Sequence, residues 1–320
     1  MKVLCNSLYR NLIRKEYQEK IKFLSNEECD NNGERYDLSE VEMAVLQPFY
    51  VNKSFLDRMP NLKFVQITGA GYDRVDVEEV KKRNIIMSNT RGVMSISIAE
   101  DVFCKILFLS REVRQVELDR ATHHWDGVSK GQDQWMCTCY QDVYGKTLGI
   151  MGYGSIGQEI SKRAKAFGMR IHVYDVFPQT DQNIDECFIG PDRLEEFYPA
   201  CDYIVVSIPL NEKTKHIIST ETFEKMKNSA VLINVARGPL VDTEALINAL
   251  KEKKIKAAAL DVYETEPLPE DSPLWELENL FMSSHKAGMG DTWKGFIGAL
   301  IMRNMDNYLQ GRELENVIRL

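Results

Sequence analysis

Short apolar runs recur along the chain, each followed by a polar or amphipathic stretch. In the first third they are MKVLCNS at the amino terminus, MAVLQ from 43, LKFVQITGAG from 62 and NIIMSN from 84, with segments such as VDVEEVKKRN between them. Runs of that length, alternating with helical patterns, predict a small α/β unit built on parallel strands. The rhythm then changes. SISIAEDVFCKILFLSREVRQVELDRATHHW, residues 95–125, has apolar positions at helical spacing and neither Pro nor Gly. It predicts one or two long helices carrying the chain between domains.

A second α/β series begins after GKTLGIMGYGSIG. Its strands are expected at about Leu148 to Gly152, Arg170 to Tyr174, Tyr203 to Ser207, Ala230 to Asn234, Lys256 to Asp261 and Leu280 to Ser283. Connecting helices include GQEISKRAKAFG and DTEALINALKEKK, the latter opening on Asp242 as N-cap. The tail GDTWKGFIGALIMRNMDNYLQG is again helical in pattern and is expected to pack back on the first domain, making that domain discontinuous in sequence. No repeat implies a solenoid.

Composition narrows the possibilities. With 320 residues, 44% of them hydrophobic, the chain can fill two ordinary cores, so two domains are expected. No run approaches the roughly 18 apolar residues of a membrane span, and the amino terminus turns polar too early for a secretory signal. A soluble, cytoplasmic protein is the expectation. A net charge of −8 argues against a surface that neutralises nucleic-acid phosphates. Seven irregularly spaced cysteines do not form a disulfide framework. Cys137 and Cys139 are the only close pair, and with no second Cys/His pair nearby no zinc or other metal site is expected.

Chemistry enters at LGIMGYGSIG, where Gly152, Gly154 and Gly157 form G-x-G-x-x-G between an apolar strand and a helix. The first glycine permits the tight turn, the second admits a pyrophosphate, and the third lets helix and strand pack closely. Phosphates would sit at the helix N-terminus. Asp175 ends the next run, RIHVYD, where a carboxylate can accept hydrogen bonds from both ribose hydroxyls and repel a 2′-phosphate. NAD (NADH) is therefore favoured over NADP. Ligands of such sheets bind beyond the carboxyl ends of the strands. There LINVARGPLVD delivers Arg237, whose fork of donors suits a carboxylate. AAALDVYETEPLP delivers Asp261 and Glu266, and FMSSHKAG delivers His285. A cation, a carboxylate and an imidazole at neighbouring strand ends outline a proton-transfer site.

In this order and spacing, GYGSIG, VSIPLNEKTKHII, LINVARGPLVDTEAL, AALDVYETEPLP and SSHKAG resemble the D-isomer-specific 2-hydroxyacid dehydrogenase family. ITGAGYDRVD and IAEDV extend the resemblance to nearly the whole chain. It implies a flavodoxin-like substrate (catalytic) domain over 1–97 and a Rossmann-type doubly wound NAD-binding domain over 98–287. A C-terminal helix over 288–320 would return to the substrate domain, with hinges near Ser97 and Gly288. It also implies reduction of a small 2-keto acid to the D-2-hydroxy acid, or the reverse. Arg237 would grip the keto acid, His285 would be the acid and base on its C2 oxygen, and Glu266 would pair with His285. A carboxylate beside an imidazole favours the protonated form, keeping a proton at hand. Asp261 would hold the nicotinamide carboxamide, and Ala70 and Gly71 would offer amides to the substrate carboxylate.

Tyr153, Ser155 and Ile156 belong to the glycine fingerprint. Ser207, Ile208, Pro209 and Thr214 would line the adenine side, and Val235 and Ala236 the nicotinamide end. Domain closure would expel water and align the reactants. A homodimer is implied, with His123, His124 and Trp125 near its contact. A dinucleotide-sensing, co-repressor-like interaction protein of the same fold is the alternative. Formate oxidation is disfavoured because Glu266 stands where that activity places a glutamine. The chain departs from the family at Arg91 and Lys286, which add positive charge: they are either solvated or matched to a second anionic group on the substrate. Phe49 or Tyr50 is a candidate for the substrate side-chain pocket. No regulatory domain is expected after GRELENVIRL.

Overall fold

The computed structural model describes residues 2–125 and 140–320, so Cys137 and Cys139 lie outside the described residues. The chain divides into two units, Met1–Met94 with Gly290–Leu320, and Ser95–Met289. Among the described residues no helix is long and apolar enough to cross a membrane.

In the first unit, β1 (Val3–Asn6), β2 (Ile21–Leu24), β3 (Met43–Leu46), β4 (Phe64–Ile67) and β5 (Ile86–Ser88) form one sheet in the order β2-β1-β3-β4-β5. All its pairs are parallel, which is the flavodoxin-like arrangement. β1, β3 and β4 are buried along their whole length, which is why they read as continuous apolar runs. β2 is an edge strand with an exposed Lys22 in its middle, so its apolar signal is too thin to predict. The helix Trp293–Leu309 belongs to this unit: Ile297, Ile301 and Met305 share an apolar cluster with Val3, Val45 and Phe64.

In the second unit, β6 (Thr147–Met151), β7 (Arg170–Asp175), β8 (Glu186–Ile189), β9 (Tyr203–Val206), β10 (Val231–Asn234), β11 (Ala257–Leu260) and β12 (Leu280–Met282) are ordered β12-β11-β10-β9-β6-β7-β8. Every pair is again parallel. Alternate residues feed separate cores. Tyr203, Val205, Val231 and Ile233 join one cluster, and Ile204, Val206 and Leu232 the other, as a sheet covered on both faces requires. The order reverses between β6 and β9, the topological switch point where such sheets bind ligands. β8 escapes the sequence pattern because only Phe188 in it is buried. The predicted 95–125 stretch forms two helices, Ser95–Ser110 and Val113–Ala121, broken at Glu112, whose φ is +53°.

At the edge where the strands start, aspartates satisfy backbone amides. Asp202 accepts from the Thr147 amide and from Lys227 Nζ, both at 2.8 Å. Asp185 accepts from the Ile171 amide and from Lys165 Nζ, both at 2.6 Å. Burial alone would push both carboxyls up, but these donors outweigh it and hold them below the usual carboxylate range. A group depressed on folding stabilises above its unfolded value and loses that contribution as pH falls through the folded one. Stability should therefore decline on acidification below about pH 4, and less steeply in Asp202→Asn. Asp202→Ala, which leaves the Thr147 amide without its acceptor, should cost about 1–3 kcal/mol in urea unfolding at neutral pH. An unchanged unfolding midpoint would rule this out.

Candidate active site

The glycine turn after β6 is shaped by three different constraints. Gly152 has φ +92°, and a Cβ there would lie 3.0 Å from the Ser207 carbonyl oxygen. Its left-handed backbone and that close approach both call for glycine. A Cβ on Gly157 would lie 2.4 Å from the Gly152 carbonyl oxygen, so only glycine lets the helix sit this close to β6. Gly154 meets nothing within 4 Å. The space beside it is open, and the helix Ser155–Ala166 that follows has Gly154 as N-cap with no side chain capping its first amides. Uncapped donors facing open space suit a pyrophosphate.

Asp175, at the end of β7, accepts from the Tyr153 amide at 2.9 Å and the Phe177 amide at 3.1 Å, one on each oxygen. Each oxygen keeps a further lone pair for a ribose hydroxyl. These residues fit a dinucleotide. Several of the expected contact residues also shape the cradle. The Tyr153 side chain is buried, with its hydroxyl 2.8 Å from Ser161 Oγ. Ser207 Oγ donates to the Met151 and Gly152 carbonyls, each at 2.9 Å. Thr214 Oγ1 donates to the Pro209 carbonyl at 2.8 Å and braces that loop. Ile208 and Val235 are buried, while Ser155, Ile156 and Ala236 are half-buried.

The chemistry-bearing side chains leave β10, β11 and β12 at the same edge. Beyond β10 the buried Asn234 makes a tight bend: its Nδ2 donates to the Arg237 carbonyl at 2.8 Å and its Oδ1 accepts from the Ala236 amide at 3.0 Å. The half-buried Arg237 is thereby turned out of the strand line. Gly238 follows because there is no room for a side chain. A Cβ there would lie 1.9 Å from the Tyr263 carbonyl carbon and oxygen. The segment bearing Arg237 thus runs in backbone contact with the segment leading to Glu266.

Asp261, after β11, is buried and organises the loop after β12. Its Oδ1 accepts from Ser283 Oγ at 2.6 Å and the Lys286 amide at 2.9 Å, and its Oδ2 from the Ala287 amide at 2.9 Å. Its carbonyl accepts from the His285 amide at 2.7 Å. His285 has φ +52°, a left-handed backbone that costs a non-glycine residue of order 1 kcal/mol or more and persists because these bonds over-determine it. Its Nδ1 lies 2.8 Å from Glu266 Oε2, while Glu266 Oε1 accepts from the Tyr263 amide at 3.0 Å. With Nδ1–H donating to the carboxylate, Nε2 is the nitrogen left for a mobile proton. The His285 side chain is 50% exposed and reachable by a substrate. Asp261, Glu266 and His285 are therefore brought together, with Arg237 on the adjoining strand exit.

In the first unit, the exposed Ala70 is held by Asn89 Nδ2, which donates to its carbonyl at 2.7 Å, and Gly71 is half-buried beside it. Of the two aromatic candidates, Tyr50 is buried with its hydroxyl on Asp30 at 2.9 Å, whereas Phe49 is exposed. Arg91 and Lys286 are exposed, as are His123, His124 and Trp125. Among the described residues no group of three or more His, Cys, Asp or Glu side chains is placed to hold a metal ion. A second histidine–carboxylate pair, which sequence reasoning did not single out, has His216 Nε2 at 2.6 Å from Glu264 Oε1. Both residues lie inside segments quoted above, but no spacing rule joins positions so far apart in the chain.

Residues 103–287 match the family model for the D-isomer specific 2-hydroxyacid dehydrogenase, NAD binding domain. The glyoxylate reductase of Korarchaeum cryptofilum (strain OPF8) is 36% identical over 268 residues, which cover 84% of this chain and 79% of that protein. The D-3-phosphoglycerate dehydrogenase of Methanocaldococcus jannaschii is 36% identical over 274 residues, 84% of this chain but 50% of that protein. Among solved structures, a D-isomer specific 2-hydroxyacid dehydrogenase family protein from Aeromonas salmonicida subsp. salmonicida A449 superposes with a TM-score of 0.83 at 27% identity, covering 99% of this chain and 98% of that one.

The glycine geometry separates folding from ligand binding. Gly157→Ala should lower the unfolding midpoint of the unliganded protein. Gly154→Ala should leave that midpoint unchanged and weaken NADH binding, read by fluorescence titration, roughly 10-fold or more. Equal effects of the two substitutions on unliganded stability would contradict the open cradle.

Proposed function

The chain belongs to the D-isomer specific 2-hydroxyacid dehydrogenase family, and we propose that its NAD-dependent reduction of a small 2-keto acid runs through Arg237, Glu266 and His285. The observation that carries these roles is the 2.8 Å contact of His285 Nδ1 with Glu266, at the sheet edge that also holds the glycine cradle.

NADH, when bound, supplies the hydride that reduces C2 of the keto acid. Gly152, Gly154 and Gly157 with the first amides of the helix Ser155–Ala166 would hold its pyrophosphate, and Asp175 its adenosine ribose. Arg237 binds the substrate carboxylate and carbonyl oxygen through two donors in fixed geometry. His285 Nε2 hands its proton to the C2 oxygen as charge develops there, and Glu266 keeps the ring oriented and offsets the imidazolium charge. The overall balance is one keto acid, one NADH and one proton giving one hydroxy acid and one NAD. In the oxidative direction His285 removes the hydroxyl proton instead. Asp261 fixes the loop that carries His285. Three of its four lone-pair positions are used by that loop, leaving one on Oδ2 for a carboxamide.

Glyoxylate is the first keto acid to test, because the Korarchaeum cryptofilum relative carries that activity in its name. A cytoplasmic homodimer is part of the same reading. The helix Val113–Ala121, which has no buried residue and leaves Val116 and Leu118 exposed, supports a surface covered by a second copy.

With glyoxylate, hydroxypyruvate and pyruvate against NADH and NADPH, at least one pair should turn over, NADH being preferred. His285→Ala should lower kcat by about 10²–10⁴-fold, and Arg237→Ala should chiefly raise KM for the keto acid. Tight NADH binding without turnover of any keto acid would favour the sensor instead.

A further inference from the structure

Glu264 reaches across two of the segments that leave the sheet at the proposed site. Its Oε2 accepts from the Thr243 amide at 3.2 Å, on the first turn of the helix Thr243–Lys251. Its Oε1 lies 2.6 Å from His216 Nε2. His216 is itself fastened to the segment after Arg237: its amide donates to the Pro239 carbonyl at 2.8 Å. Two more bonds continue that seam, from the Ile218 amide to the Leu240 carbonyl at 3.0 Å and from the Asp242 amide to the Ile218 carbonyl at 2.9 Å. Asp242 Oδ2 faces the other ring nitrogen of His216 at 3.8 Å. Like His285, His216 has φ +52°, a backbone that persists only where surroundings enforce it.

The circuit closes on the Arg237 segment from both sides. Gly238 is packed on the Tyr263 and Glu264 backbone, where a Cβ would lie 2.4 Å from the Glu264 nitrogen. Glu264 therefore ties the stretch Arg237–Thr243 to the stretch Tyr263–Glu266, and His216 completes the clasp. Burial acts to push the Glu264 carboxyl up, but the hydrogen bonds from Thr243 and His216 outweigh it, so the group is held below the usual range and is ionised at neutral pH. Neither Glu264 nor His216 touches Glu266 or His285 through any of these bonds.

We infer that Glu264, clasped by His216 and the Thr243 amide, is a positioning residue that sets Arg237 and Glu266 relative to one another. This rests on the roles proposed for Arg237, Glu266 and His285. The glycine turn after β6 and Asp175 after β7 share no hydrogen bond with Glu264 or His216, so loss of the clasp should spare the phosphate and ribose contacts. A misplacement of reacting groups by a fraction of a bond length lowers turnover without lowering cofactor affinity.

The test uses the full chain with glyoxylate and NADH. Glu264→Ala should lower kcat/KM for the keto acid roughly 10- to 100-fold, raising KM as well as lowering kcat, with the NADH dissociation constant unchanged. Glu264→Gln should recover most of the loss, because an amide oxygen still accepts from Thr243 and the amide NH2 can donate to a neutral His216. His216→Ala should give an intermediate loss, and the double variant should be no worse than Glu264→Ala alone. Imidazole nitrogen NMR, tractable with five histidines in the chain, supplies a readout independent of turnover: the His285 Nδ1–H signal should broaden or shift in Glu264→Ala and return in Glu264→Gln. If Glu264→Ala does not fold, His216→Ala and Glu264→Gln carry the test. Wild-type kinetics in Glu264→Ala or, where that variant does not fold, in His216→Ala, a parallel loss of NADH affinity, or a His285 signal unmoved in those variants would overturn the inference. A wild-type protein inactive on every keto acid, with the His285 signal still responding to Glu264, would instead sink the catalytic reading and leave the clasp standing.

Discussion

The carboxylate of Asp261 is the interaction on which the rest of the site depends. It is buried at the end of β11 and takes three hydrogen bonds from the loop that follows β12, while its own carbonyl takes a fourth from His285. A buried carboxylate left without such donors would be costly, so the loop has little freedom to adopt another path. That path puts His285 in a left-handed backbone and aims its Nδ1 at Glu266. A strained residue held by a buried charge is an economical way to fix an imidazole that must itself stay open to solvent. The orientation of the ring is therefore decided underneath it, by a side chain that the substrate need never touch.

Close backbone approach is the second organising constraint. At Gly157 a helix is brought against β6, and at Gly238 one strand exit is brought against the next. Hydrogen bonds from side chains then lock what the glycines allow: Ser207 under the first turn, Asn234 within the second. The two devices lie on different strands of one sheet, so the glycine turn and the His285–Glu266 pair are built by separate sets of contacts on a shared base.

Much of this architecture could be read from the amino acids, for identifiable reasons. β6, β9, β10 and β11 are buried on both faces and so appear as uninterrupted apolar runs. The glycine fingerprint is local, with all its parts within ten residues of one another. Arg237, Asp261, Glu266 and His285 each follow such a run, and the topology of a parallel sheet carries them to one edge. The edge strands β2 and β8 were not legible, since β2 exposes Lys22 in its middle and β8 buries only Phe188. Direction was not legible either. Tyr153 sits inside the fingerprint yet turns its ring into the core, Tyr50 is committed to Asp30 while Phe49 beside it is exposed, and the Ser207 hydroxyl braces a turn. The pairing of His216 with Glu264 depends on two long excursions of the chain returning to the same place, which no short-range pattern encodes.

The aspartates at the opposite rim have a consequence for how such a protein can diverge. Asp185 and Asp202 seal the strand starts, whereas every group with a proposed chemical role sits at the strand finishes. Strands of this length keep the two rims beyond hydrogen-bonding reach of each other. Tolerance of acid or heat can accordingly drift in one lineage through the lower rim, and selectivity for one metabolite can drift in another through the upper, with neither change obliging the other.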